Sequence, residues 1–298
     1  MNRRTFVTVS VLLGLALLAS PGTVRAEAPF SEVVVFGDST VDTGNLYLAS
    51  GGVVTGPPYF PGRFSNGPVW VEVLAEHLGL QAPAPSLIGG SNYAWGAAET
   101  GDGVSFFGTP NVGMQVGFFL DDRGRLTGHE LIVVAAGGND IIWEAPYSPR
   151  QIARNIANHI TALAGAGGRT FLVPNLPPYG QAPLLRGTND EERVDTLDTE
   201  VNRLLDDELA ALETRLNVTI LRVDIAGLIA EMLTDPEEFG LTNVTAPACP
   251  GCGMGVPDPD ADDTMVSNPD EYLWWDFAHW TRVVQKMIGE LAADAVRP

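Results

Sequence analysis

Ser39 lies in Gly37-Asp38-Ser39-Thr40, directly after an apolar run, and His279 follows Asp276 by three residues in Trp275-Asp276-Phe277-Ala278-His279. A serine hydroxyl is a weak nucleophile until a base takes its proton. A carboxylate one turn from an imidazole can orient the ring and stabilise its protonated form. Of the four histidines, His77 and His159 fall in helical patterns and His129 in a turn; only His279 has an acid three residues before it. Two further groups offer hydrogen-bond donors for a developing negative oxygen. Asn139, in Gly137-Gly138-Asn139-Asp140, carries a side-chain amide, and Gly96 presents a backbone N–H with no side chain in its way. Taken singly, each feature has a plainer reading. An isolated Gly-Asp-Ser more often caps a helix, and an Asp-x-x-His also suits the start of one.

These residues need elements to hold them. Short apolar runs bounded by turn residues read as strands at 32–36, 92–95, 131–136, 170–173 and 218–223. Between them, 69–78, 151–164, 191–216 and 281–296 carry apolar positions at helical spacing. Strands alternating with helices predict a parallel sheet covered on both faces. Ser39, Gly96 and Asn139 then follow the ends of the first three strands, where open α/β sheets build their sites. The stretches 51–67 and 245–269, rich in Gly, Pro or Asp, read as long surface loops of a single domain over 27–298.

The motifs resemble those of the GDSL esterases and lipases, or SGNH hydrolases, in the branch of plant and secreted bacterial members. Phe36-Gly37-Asp38-Ser39-Thr40-Val41-Asp42-Thr43-Gly44-Asn45 is similar to the first block, with Thr40 where leucine is usual. Gly62-Arg63-Phe64-Ser65-Asn66-Gly67, Asn92-Tyr93-Ala94-Trp95-Gly96-Ala97-Ala98, Gly137-Gly138-Asn139-Asp140 and Asn175-Leu176-Pro177-Pro178-Tyr179-Gly180 resemble later stretches. Tyr272 through His279 resembles the last block, with Trp280 where proline usually follows the histidine. The resemblance implies a three-layer α/β/α sandwich around a mainly parallel five-stranded, flavodoxin-like sheet. It implies Ser39 as nucleophile, His279 as general base and acid, and Asp276 as the orienting carboxylate. The oxyanion hole would be the Ser39 and Gly96 N–H groups with the Asn139 side chain. The expected activity is hydrolysis of carboxylic esters, small or lipid, through an acyl-enzyme. Carbohydrate acetyl esters, acyl transfer to other acceptors, and a fold retained only for binding carbohydrate are the alternatives.

Composition narrows the partners. With 17 basic against 37 acidic residues the formal charge is −20, which disfavours nucleic acid and anionic surfaces. Arg3 and Arg4, the apolar stretch 6–18 and Val24-Arg25-Ala26 read as a signal peptide cleaved after Ala26, through the general secretory or the twin-arginine route. That apolar run is too short to span a bilayer, and a secreted or periplasmic protein without a transmembrane segment is expected. Gly-x-Ser-x-Gly is absent, and His129-Glu130 lacks the second histidine of a zinc peptidase. Asp258, Asp260, Asp262 and Asp263 depart from a calcium loop and read as a solvated acidic segment. No metal or cofactor is expected. Cys249 and Cys252, in Cys-Pro-Gly-Cys, read as a small disulfide loop in an exported chain. Tyr47, Phe106, Phe107, Trp143 and Trp280 are candidates to line an apolar acyl pocket, with core packing as the competing role. A monomer is expected.

Overall fold

Val33, Val34, Val35 and Phe36 have no polar side chain among them, so this strand must be buried on both faces, and it is. Strand β1 (Val33–Gly37) lies beside β2 (Leu131–Ala135), then β3 (Thr170–Pro174) and β4 (Thr219–Val223), all parallel, with Val33 opposite Leu131 and Thr170 opposite both Leu131 and Thr219. The computed structural model describes residues 30–256 and 265–297. The expected signal peptide over 1–26 and the aspartates between 258 and 263 lie outside them.

Alternation along the strands divides the core into two layers. Val33, Val35, Leu131 and Val133 face α2 (Trp70–His77), α7 (Ile225–Thr234) and α8 (Arg282–Val296). Val34, Phe36, Ile132 and Val134 face α3 (Val112–Asp122), α5 (Pro149–Gly165) and α6 (Glu191–Leu216). Each helix supplies an apolar stripe, as Ile152, Ile156, Ile160 and Leu163 do on α5, whose first turn is closed by Ser148 accepting from the Gln151 N–H. The short helices α1 (Asn45–Ala49) and α4 (Gly138–Ile142) follow the carboxyl ends of β1 and β2.

Two expectations need correction. Among the described residues the sheet has four strands, not five. Residues 92–95 run along the free edge of β1, where the Tyr93 N–H donates to Val35 O (2.8 Å) and the Trp95 N–H to Gly37 O (3.1 Å), but only Asn92 forms a ladder bridge, to Val35. Asn92 spends its own N–H and carbonyl on Ala84 O and the Ser86 N–H, and the chain turns away at Gly96. Nor is 245–269 wholly loop. Strand β5 (Asn243–Pro247) pairs in parallel with β6 (Tyr272–Trp274), a second small sheet that presents the segment carrying Asp276 and His279.

Candidate active site

Three loops at the carboxyl edge of the sheet are tied together before any chemistry begins. Gly37 ends β1 at φ 154°, where a Cβ would meet Ala135 O at 2.1 Å, so only glycine lets the chain leave the sheet here. The Gln115 side chain grips both backbone groups of Gly37, accepting from its N–H (2.9 Å) and donating to its carbonyl (2.8 Å). Asp38 accepts from the Thr40 N–H (2.9 Å) and hydroxyl (2.7 Å), closing a turn around Ser39. Burial raises the Asp38 carboxyl above its usual value, against the pull of those donors.

Asp42 joins the serine loop to its neighbour. Its carboxylate accepts from the N–H groups of Gly44 (2.7 Å), Asn45 (2.8 Å), Leu46 (3.2 Å) and Gly96 (3.0 Å). Burial nevertheless pushes its pKa up to about 6. The expected part for Gly96 is therefore corrected: its N–H is already engaged by Asp42. The next residue, Ala97, lines the cavity beside Ser39 and Asn139 and holds a left-handed φ of 61°, a conformation non-glycine residues adopt at a cost. Among the described residues, the backbone N–H groups of Ser39 and Ala97 have no hydrogen-bond partner.

Asn139 opens α4 behind Gly137. Its amide nitrogen donates to Ala98 O (3.0 Å), and its amide oxygen accepts from the Trp143 indole N–H (3.2 Å). One amide hydrogen remains for a ligand. Asp140, next in sequence, accepts from the Thr100 N–H (2.9 Å) and hydroxyl (2.6 Å), and its pKa is pushed up to about 7 by burial.

The third loop precedes α8. Ser39 Oγ lies 2.9 Å from His279 Nε2, and His279 Nδ1 lies 2.8 Å from Asp276 Oδ2. Asp276 is fully buried, and His279 and Ser39 are 8% and 7% exposed, so the hydrogen-bond chain is shielded yet open at its serine end. Asp276 Oδ1 also accepts from the N–H groups of Ala278 and His279, both at 2.8 Å. With Nδ1–H donated to the carboxylate, Nε2 accepts the serine proton, the arrangement that makes an alkoxide available to an electrophile.

A cavity of about 240 Å³ opens over Ser39 and His279, walled by Leu46, Val54, Phe64, Phe107, Trp143 and Met254. Three expected wall residues, Tyr47, Trp280 and Phe106, are corrected. Tyr47 does not line this cavity; its ring lies against Gly52, and Leu46 takes the wall position. Trp280 is turned into the core at 2% exposure and does not line it either. Phe106 projects into solvent at 84% exposure, its ring edge-to-face with that of Phe107. Three participants carried no assignment from the sequence. Ala97 stood one residue beyond Gly96, Phe64 lay inside a recognisable motif, and Tyr59, which donates to Asp276 Oδ2 at 2.6 Å, had no local signal. Cys249 and Cys252 form a disulfide in the loop that supplies Met254. Among the described residues, no group of three or more His, Cys, Asp or Glu is arranged to hold a metal, and no helix is long and apolar enough to cross a membrane.

A further buried carboxylate holds Tyr179, which lines the cavity. Asp198, on α6, accepts from the Tyr179 N–H (2.9 Å), while its other oxygen is buried without a partner. Burial pushes its pKa up to about 8, with Asp195 adding to the rise. The folded state therefore holds a proton that the unfolded chain, titrating near 4, has released. Stability from this group is full below that value and is lost as pH rises through about 8. Asp198→Asn, which carries no charge to bury, is expected to melt about 2–4 °C higher than the unaltered protein at pH 9, for roughly 1 kcal/mol, and by much less at pH 5. Calorimetric scans at the two pH values check this; a gain of equal size at both would show that charge burial is not its source.

The sequence matches the family described as GDSL-like lipase/acylhydrolase over residues 33–292. It is similar to a phosphatidylcholine-sterol acyltransferase of Aeromonas hydrophila, 31% identical over 279 residues that cover 88% of this chain and 79% of the relative. It is also similar to a GDSL esterase/lipase of Arabidopsis thaliana, 27% identical over 317 residues covering 87% of each. Among solved structures, an inhibitor-bound aryl esterase of M. smegmatis superposes with a TM-score of 0.48 at 18% identity, covering 89% of this chain and 98% of that one.

Proposed function

This chain belongs to the GDSL-like lipase/acylhydrolase family and is a carboxylic ester hydrolase, and from that premise we propose that it works through Ser39, His279 and Asp276 by way of an acyl-enzyme. The observation that carries the reading is the unbroken hydrogen-bond chain from Ser39 Oγ through His279 to Asp276, at 2.9 and 2.8 Å, at the base of an apolar cavity. Ser39 Oγ attacks the ester carbonyl carbon as its proton passes to His279 Nε2. The negative oxygen is received by the free N–H groups of Ser39 and Ala97 and the remaining amide hydrogen of Asn139. Collapse breaks the bond to the alkoxy oxygen, which takes the proton from His279 and leaves as the alcohol. Water, deprotonated by His279, then attacks the acyl carbon, and the carboxylic acid departs as Ser39 recovers its proton.

Cavity size sets the substrate. An apolar space of about 240 Å³ is below the range usual for drug-sized ligands and suits a short acyl chain. A longer chain would run out past Phe107 toward the exposed Phe106 ring. In a p-nitrophenyl ester series, kcat/KM is expected to peak at short acyl lengths, with a fluorophosphonate probe attached to Ser39 by mass spectrometry. Turnover without modification of Ser39 would refute the proposed nucleophile. The 31% identity to a phosphatidylcholine-sterol acyltransferase favours a second reading, in which an alcohol takes the acyl group from Ser39 in place of water; new ester among the products formed with an added alcohol distinguishes it. We further read residues 27–298 as one domain exported after cleavage following Ala26. The Cys249–Cys252 bridge, of a kind that persists in oxidising compartments, supports export.

A further inference from the structure

We propose that Tyr59 is a positioning residue for ester hydrolysis, its hydroxyl holding Asp276 in the orientation that serves His279. The proposal rests on the roles given above to Ser39, His279 and Asp276. Backbone N–H groups of the carboxylate's own turn secure only Oδ1, from Ala278 and His279. Oδ2, the oxygen that His279 Nδ1 approaches at 2.8 Å, takes its other donor from 217 residues earlier: the Tyr59 hydroxyl, at 2.6 Å. In a fully buried carboxylate, a second-side donor stops the group rotating about its Cβ–Cγ bond and balances the charge that the imidazolium will need.

Tyr59 is itself held from three directions. Its ring stands edge-on to Trp275 (centroids 5.9 Å apart) and to Phe64 (6.4 Å), the ring that also covers the His279 imidazole at 4.8 Å. Its oxygen accepts from the Gly255 N–H at 2.8 Å, which turns the hydroxyl hydrogen away from that side. Cys252 O lies 3.2 Å off, but a hydroxyl has one proton and the shorter contact is to the carboxylate. The loop supplying these contacts is closed by the Cys249–Cys252 disulfide and stitched to the catalytic segment by the Cys249 N–H donating to Trp275 O (2.8 Å). Burial and the neighbouring carboxylate raise the phenol well above its ordinary value, so the hydroxyl stays a donor at every working pH. Tyr59 is 3% exposed and does not line the cavity, so it acts on substrate only through Asp276.

The test uses the full chain and p-nitrophenyl butyrate, with Ser39→Ala as the control that shows hydrolysis to be the enzyme's own. Activity equal in Ser39→Ala would undo the functional reading rather than this one. Tyr59→Phe is expected to lower kcat about tenfold, the scale of a hydrogen bond to a charged group, with KM within about twofold. In an Asp276→Ala background the same change is expected to alter kcat by less than about twofold, because the group it acts through is gone. An unchanged kcat in Tyr59→Phe overturns the proposal, as does an equal loss in both backgrounds, which is the signature of a general packing defect. A measurement on the unaltered protein guards against a variant that fails to fold. The Tyr59 hydroxyl proton is expected downfield and protected from exchange in the NMR spectrum; a freely exchanging proton overturns the assignment.

Discussion

Ser39→Ala is expected to abolish ester turnover, with kcat falling on the order of a million-fold, as when one member of a serine triad is removed elsewhere. The size follows from what the hydroxyl does in this arrangement. In the proposed mechanism it is the atom that bonds to substrate, and among the described residues its hydrogen-bond contact is to His279 Nε2. The change removes a single oxygen from a side chain already facing a cavity, so melting temperature is expected to move by less than about 2 °C, as for a substitution that leaves no buried group unpaired. A KM within a few-fold of the parent would show that the cavity walls still take the acyl chain. His279→Ala alone, and the double variant with Ser39→Ala, should each be as inactive as Ser39→Ala, because groups acting as a unit do not contribute additively. A double variant a further thousand-fold slower than either single variant would mean that the two residues act independently.

Asp276→Asn is the second large effect, expected near ten-thousand-fold in kcat. The carboxylate serves as acceptor for four donors: the Ala278 and His279 N–H groups, His279 Nδ1 and the Tyr59 hydroxyl. An amide has only one accepting oxygen. If that oxygen keeps the two backbone donors, the NH2 must face Tyr59 and His279 Nδ1. Nδ1 then becomes an acceptor, the proton moves to Nε2, and the imidazole can no longer take the serine proton. Steady-state kinetics with p-nitrophenyl butyrate measure the loss, and near-UV circular dichroism shows whether the aromatic surroundings of Trp275 and Tyr59 stay intact. Retention of even a tenth of the parent kcat would remove Asp276 from the mechanism.

How far the residues announce this site in advance depends on distance along the chain. Ser39, Asp276 and His279 sit in short motifs whose spacing is itself the chemical clue, and the structure brings all three within hydrogen-bond reach. Helix α6 is equally plain, because 191–216 repeats its apolar positions over many turns. Helix α7 escapes notice for the opposite reason: Ile225-Ala226-Gly227-Leu228-Ile229-Ala230 is apolar on every side and shows no period. In α3, two glycines and two adjacent phenylalanines blur a stripe that Val112, Val116 and Phe119 do form. The displacement from Gly96 to Ala97 turns on a single hydrogen bond to Asp42, fifty-four residues away, which no local pattern contains. Trp280 and Trp143 are both tryptophans near motif residues. Only the pairing of residue 280 back onto Trp274 sends one ring into the core, while α4 leaves the other at the cavity. Tyr59 needs the whole fold to meet Asp276.

The Trp143 indole is at once a wall of the cavity over Ser39 and the donor that fixes the Asn139 amide. In the mechanism proposed here, substrate range and rate are therefore not independently evolvable at this position. A smaller residue would enlarge the space for an acyl chain and release the amide oxygen in the same step, so any drift toward bulkier esters through Trp143 passes through a slower enzyme. Met254 and Leu46 wall the same cavity and make no bond to Asn139. Divergence in chain-length preference among relatives of this protein has an unobstructed route there, and a designer seeking a broader esterase would start from those two side chains and leave the tryptophan alone.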